Sequence, residues 1–150
     1  MKIQVVLIAA VAAVAAATPA AANEGRAEVR GGIVWADGFE EAVAGAAAGY
    51  DFNLGEAGFV GVEASADQVL IDGADPVFGA TARIGGRIVK NGKLFAAGGY
   101  SFGEGEDQIH LGAGYEHRVA GPVYLKVEYR HFFSSFVDAN VAAAGIGVNF

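Results

Sequence analysis

Residues 123–131 read VYLKVEYRH, and the alternation in them is strict. Successive side chains of a strand point to opposite sides. Val123, Leu125, Val127, Tyr129 and His131 therefore share one face, and Tyr124, Lys126, Glu128 and Arg130 share the other. One face is mainly apolar and the other mainly charged. The same period recurs outward from this stretch. Ile109, Leu111, Ala113, Tyr115 and Val119 stand against His110, Gly112, Gly114, Glu116 and Arg118. Phe78, Ala80, Ala82, Ile84 and Ile88 stand against Thr81, Arg83, Gly85 and Arg87, and Ala142, Ala144, Ile146, Val148 and Phe150 against Ala143, Gly145, Gly147 and Asn149. No segment after residue 22 sustains the helical i, i+3, i+4, i+7 spacing. The glycines also oppose helix, each costing about 1 kcal/mol relative to alanine.

The turns between alternating segments mark eight strands, near 26–35, 41–52, 58–69, 77–89, 94–102, 108–119, 123–132 and 139–150. Connections of two kinds take turns. Asn53-Leu54-Gly55, Lys90-Asn91-Gly92-Lys93 and Ala120-Gly121-Pro122 are tight. Those near 36–40, 70–76, 103–107 and 133–138 are longer and mostly acidic.

Residues 1–22 have a different character. Lys2 precedes an unbroken apolar run from Val5 to Ala17, and Ala20 and Ala22 occupy the small-residue positions before Asn23. This is the pattern of a cleaved secretory signal peptide; the alternative is an uncleaved N-terminal anchor. The run of 13 residues is shorter than the roughly 20 that a transmembrane helix needs. Residues 23–150 then form one domain with nine basic and 17 acidic residues, a net charge of −8. Without cysteine, disulfides, thiolate metal sites and a cysteine nucleophile are excluded. The acidic balance argues against nucleic acid as a partner. Gly31-Gly32 and Gly85-Gly86 are not phosphate loops, because no helix follows them.

On the polar faces, Glu28, Asp51, Glu63, Asp67, Glu116 and Glu128 meet Arg30, Arg83, Arg87, Arg118, Lys126 and Arg130, six acids against six bases. Such a balance suits a closed interior, where an unpaired charge is costly. The longer connections hold Asp37, Glu40, Asp72, Asp75, Glu104, Glu106, Asp107 and Asp138, with Glu41 at a strand start and no Lys or Arg; Arg26, Lys90 and Lys93 fall at the opposite end.

Apolar faces outside and charges inside is the inverse of a soluble domain and the norm for a transmembrane β-barrel. Lipid offers no partner to a free backbone group, so the sheet must close. The expected fold is all-β, an eight-stranded antiparallel up-and-down transmembrane β-barrel. Trp35, Phe78, Phe102 and Tyr129 would lie near the outer rim and Tyr50, Phe52 and Phe150 near the inner rim, as interfacial girdles. The competing reading makes these rings the core of a soluble sandwich or lipocalin-like fold.

The C-terminal third adds a resemblance. GPVYLKVEYRHF, followed by a last strand closing in AGIGVNF, resembles the final two strands of opacity-type (OmpA/OmpX-like) small outer-membrane β-barrel proteins, with Glu128-Tyr129-Arg130 and the terminal Phe150 carrying most of it. The resemblance implies location in the outer membrane of a Gram-negative bacterium, outer-membrane lipid as surroundings, and Ile146, Val148 and Phe150 as the signal read by the barrel-assembly machinery. Opacity adhesins carry long variable surface loops. Here each surface connection is about seven residues or fewer, which argues against host-receptor adhesion.

For function, the leading expectation is a structural barrel whose lumen is plugged by its charges. A narrow ion-conducting channel is the alternative, since Gly45, Ala47, Gly49, Gly79, Gly112, Gly114, Gly145 and Gly147 leave room on the inner face. Those small residues could equally accommodate long arginine side chains. Surface binding through the acidic rim is a third reading; Asp72-Gly73-Ala74-Asp75 and Glu104-Gly105-Glu106-Asp107 lack the full spacing of a calcium loop. Catalysis is not expected: His131, Ser134 and Ser135 lie together in sequence, but Phe132 and Phe133 interrupt a His-x-Ser spacing. No cofactor or metal is implied.

Overall fold

The computed structural model describes residues 23–103 and 107–150. The expected signal peptide, residues 1–22, and Glu104, Gly105 and Glu106 lie outside the described residues. The chain forms eight strands: β1 (Asn23–Ala36), β2 (Phe39–Leu54), β3 (Gly58–Val69), β4 (Val77–Val89), β5 (Gly92–Gly103), β6 (Gln108–Ala120), β7 (Val123–Phe133) and β8 (Ala139–Asn149). They follow one another around a closed barrel. Every neighbouring pair is antiparallel, and β8 closes on β1 with Ile146 opposite Val29. No sheet edge is left unpaired, the condition that a spanning sheet must meet in lipid.

The first hairpin is tighter than its sequence indicated. Only Asp37 and Gly38 connect β1 to β2, so Phe39 and Glu40 join Glu41 in β2. Gly38 takes a φ of 73°, the left-handed conformation that glycine adopts without strain. Ladder pairing along the whole of β1 from Asn23 to Ala36 carries that strand three residues earlier than the alternation alone indicated. The ladder is interrupted twice, between Arg87 and Val89 and between Arg118 and Ala120. Both irregularities lie at the short-turn end of the barrel.

The two faces are chemically inverted. Outward-pointing Val62, Ile84, Ile109 and Val127 are 55–60% exposed, whereas inward-pointing Arg26, Asp51 and Lys126 are 1–2% exposed. The outward rings pair with one another: Trp35 with Tyr129 at 6.2 Å, Phe78 with Phe102 at 6.2 Å and Tyr50 with Phe52 at 5.1 Å between centroids. Phe59, Phe95 and Tyr124 point inward instead and are buried among the charges. At the seam, Phe150 extends the pairing beyond β8 by exchanging backbone hydrogen bonds with Gly25 at 2.8 and 2.9 Å.

Candidate functional site: the charged lumen

β1 supplies the spine of the lumen. Glu24, Arg26, Glu28 and Arg30 recur at every second residue, so one strand directs four charges inward. β3 places Glu63 across from them. Its carboxylate receives Arg26 Nη1 at 2.7 Å, Arg30 Nη1 at 3.1 Å and Arg130 Nη2 at 2.9 Å. Three guanidinium groups from β1 and β7 thus share one acid.

Towards the long-loop end, Arg30 forms a two-pronged pair with Asp67, Nε to Oδ1 at 2.8 Å and Nη2 to Oδ2 at 2.6 Å. Arg130 also pairs with Glu128. Lys126 bridges Glu28, and Glu128 at 3.3 Å, while the Tyr124 hydroxyl donates to Glu28 at 2.7 Å. Towards the other end, Arg83 holds Asp51 with two donors and reaches Glu116 at 3.1 Å. Lys93 lies 3.1 Å from Glu24, 3.6 Å from Asp51 and 3.7 Å from Glu116. The Arg83 guanidinium is also flanked by the rings of Phe59 at 5.1 Å and Phe95 at 4.9 Å, an arrangement in which ring quadrupoles offset part of the lost hydration.

The six expected acids stand in the lumen together with Glu24, and two of the six expected bases do not. Arg87 and Arg118 were expected in the lumen. Arg87 is instead exposed at the short-turn rim, with the Glu56 carbonyl at 3.3 Å and Asn53 Oδ1 at 3.4 Å. The Arg118 side chain is 45% exposed and meets Glu24 at the mouth. Both residues keep the inward phase, opposite Lys93 and Tyr124, but stand on the last rungs before the ladder irregularities, at the short-turn mouth where the lumen opens. Arg26 and Lys93, expected at the basic end, are buried in the lumen in their place. Glu24 and Glu56 also put acids at that end, so it is not simply basic. Parity was the available signal: Arg26 is two residues from Glu28 in the same strand.

Substitution at Arg83 and at Arg87 separates a lumen arginine from a rim arginine. Arg83→Ala removes a buried partner of Asp51 and Glu116, and a loss of about 3–5 kcal/mol is expected from leaving those acids unpaired. Arg87→Ala removes only rim contacts and is expected to leave the urea unfolding midpoint unchanged. A matching loss in Arg87→Ala would return that residue to the interior.

The small residues fit against this network. A Cβ at Gly49 would stand 2.5 Å from Arg26 Nη2 and 2.7 Å from the Val62 carbonyl oxygen, so the space is already taken by the guanidinium. His110, fully buried, lies between Thr81 Oγ1 at 2.9 Å and Ser101 Oγ at 3.0 Å. His131 faces outward, with Asn140 Oδ1 2.8 Å from Nδ1 and Asp138 Oδ2 3.4 Å from Nε2. Both ring nitrogens already face oxygen partners. Among the described residues, no group of three or more His, Asp or Glu is arranged to hold a metal ion.

No protein-family model matches the chain, and no curated protein sequence matches it. Solved structures do. Ail of Yersinia pestis, an attachment invasion locus protein, aligns with TM-score 0.62 at 17% identity, over 86% of this chain and 99% of that one. Ail is also known in complex with the heparin analogue sucrose octasulfate. The N-terminal β-barrel domain of Pseudomonas aeruginosa OprF aligns with TM-score 0.61 at 13% identity, over 83% of this chain and 97% of that one. Neisserial surface protein A aligns with TM-score 0.56 at 13% identity, over 89% of this chain and all of that one. The chain has the fold of the small eight-stranded outer-membrane β-barrels.

Proposed function

We propose that this chain is an integral outer-membrane β-barrel of the opacity type, non-catalytic, whose lumen is plugged by its own ion pairs. The observation that carries the reading is the sharing of Glu63 by Arg26, Arg30 and Arg130, in a barrel with an apolar outer wall. An eight-stranded barrel is just wide enough for side chains to fill it. Interlocked pairs at hydrogen-bond distance leave an ion no route that avoids displacing one of them. Outer-membrane lipid covers the outer wall. Ile146 and Val148 of β8, with the terminal Phe150, form the outward-facing signal for the assembly machinery. Residues 1–22 direct export and are removed.

A catalytic reading finds little support, because Phe132 and Phe133 separate His131 from Ser134 and Ser135. Binding of a polyanion, as in the Ail complex, is also disfavoured. The connections at 37–38, 70–76 and 134–138 carry Asp37, Asp72, Asp75 and Asp138 and no Lys or Arg.

The test is the native outer-membrane fraction, compared on gels with and without boiling, followed by single-molecule conductance of the purified barrel in planar bilayers. A faster-migrating unboiled band and no steady conductance are expected. Stable ohmic steps would replace the plug with the narrow-channel reading. A soluble periplasmic protein without a heat shift would overturn the membrane assignment.

A further inference from the structure

The inward face changes character towards the long-connection end of the barrel. Arg30, Asp67 and Arg130 are the last inward charges on β1, β3 and β7. Two residues further on, the same parity brings Val69 on β3 and Phe132 on β7. Val43 stands opposite Val69, and Val34 opposite Val141. All five are half-buried. Val43, Phe132 and Val141 wall a recess of about 40 Å³ over Arg30, Asp67 and Arg130.

The connections that cap these strands continue the pattern. Phe39, at the head of β2, is 41% exposed, Ile71 is 42% exposed and Phe136 is 89% exposed. Their charges are of one sign. Beyond Arg30 and Arg130, the outer ends of β1, β2, β3, β7 and β8 and the connections above them hold Asp37, Glu40, Glu41, Asp72, Asp75 and Asp138, and no Lys or Arg. Glu41 is opposite Val34 and shares the inward parity of Val43.

The interior of a membrane barrel is ordinarily polar. Valines at its mouth face water at a cost, and exposed apolar groups ringed by charge mark an interaction surface. We propose that this mouth docks a basic polypeptide segment, one aliphatic side chain entering the recess and flanking Lys or Arg residues meeting Glu41, Asp72 and Asp138. The recess admits the end of a single side chain. The acids are spread over three connections, so a partner that meets them is extended and multiply charged. A second copy of this chain would bring a second acidic end, and like charges repel. The inference rests on the outer-membrane reading above, which turns this end away from the periplasm. The ion pairs stay in place beneath the partner, so docking is separate from conduction.

The test uses the folded, full-length mature barrel in phosphatidylcholine nanodiscs and a short fluorescein-labelled lysine peptide with one central leucine. Binding is read by fluorescence anisotropy, with empty nanodiscs subtracted. Saturable binding is expected, and replacing the leucine by serine is expected to weaken it about tenfold. Val43→Ser with Val141→Ser is expected to cost the leucine peptide a similar factor and to leave the serine peptide unchanged. Glu41→Gln with Asp72→Asn is expected to weaken both peptides about threefold at low salt, while Glu56→Gln at the short-turn end leaves both unchanged. A glutamate peptide with the same leucine is expected not to bind. No binding of the leucine peptide, equal binding of the leucine and serine peptides, or binding of the glutamate peptide would overturn the proposal. Each variant is first checked for the heat-shifted band. Its absence in the parent chain would count against the membrane reading itself.

Discussion

Glu63→Ala is expected to destabilise the folded barrel by about 3–5 kcal/mol, the range for breaking a buried charge pair. The loss arises less from the missing attraction than from what remains. Arg26, Arg30 and Arg130 each direct a nitrogen to Glu63 within 3.1 Å. Arg30 retains Asp67, and Arg130 retains Glu128. Arg26 fares worst: it is 1% exposed, and its next carboxylate, Asp51, is 3.5 Å from Nε and already held by Arg83. Urea unfolding in lipid vesicles, followed through the single tryptophan, Trp35, measures the loss. Glu63→Gln keeps the shape and removes the charge, and an intermediate loss is expected. A change below about 1 kcal/mol would mean that water in the lumen solvates these groups as well as Glu63 does, and the plug would lose its support.

Gly49→Val is expected to prevent assembly of the heat-resistant barrel. The first added carbon would stand 2.5 Å from Arg26 Nη2 and 2.7 Å from both Arg26 Cζ and the Val62 carbonyl oxygen. The carbonyl belongs to the β2–β3 ladder and cannot retreat without breaking it. The guanidinium is held by Glu63. Overpacking of about 1–3 kcal/mol is therefore compounded by loss of a buried ion pair, about 3–5 kcal/mol. The sum approaches the whole stability of a small domain. The readout is the fraction of refolded protein that migrates as the unboiled form. Arg26→Ala introduced with Gly49→Val relieves the side-chain clash, so partial recovery is expected. A single variant that folds like the parent would show that Gly49 does not seat the guanidinium.

The alternation in Val123–His131 and its echoes in β4, β6 and β8 was enough to fix strand number, order and the inverted faces, because the period of two acts locally along each strand. Ends of strands were less legible. Asn23–Gly25 carries no strong alternating pattern and is strand because β2 pairs with it. Arg87 and Arg118 keep the inward parity, opposite Lys93 and Tyr124, but they stand at the short-turn end of their strands, where the lumen opens to the rim. Arg26 lies at an expected strand start and Lys93 in an expected turn, which places both at an end of the sheet, although the parity of Arg26 with Glu28 indicates the lumen.

Composition and period thus determined that eight strands would close with charge inside and lipid-compatible side chains outside, since each strand reports its two faces independently of the others. Which charge meets which was not in that pattern. Arg26 reaches Glu63 across 37 positions, and Lys93 reaches Glu24 across 69. Those pairings, and the gathering of Trp35, Tyr129, His131 and Asn140 on one wall, follow from the register of strands around the closed barrel. That register is a property of the whole sheet, so three-dimensional closure decided it.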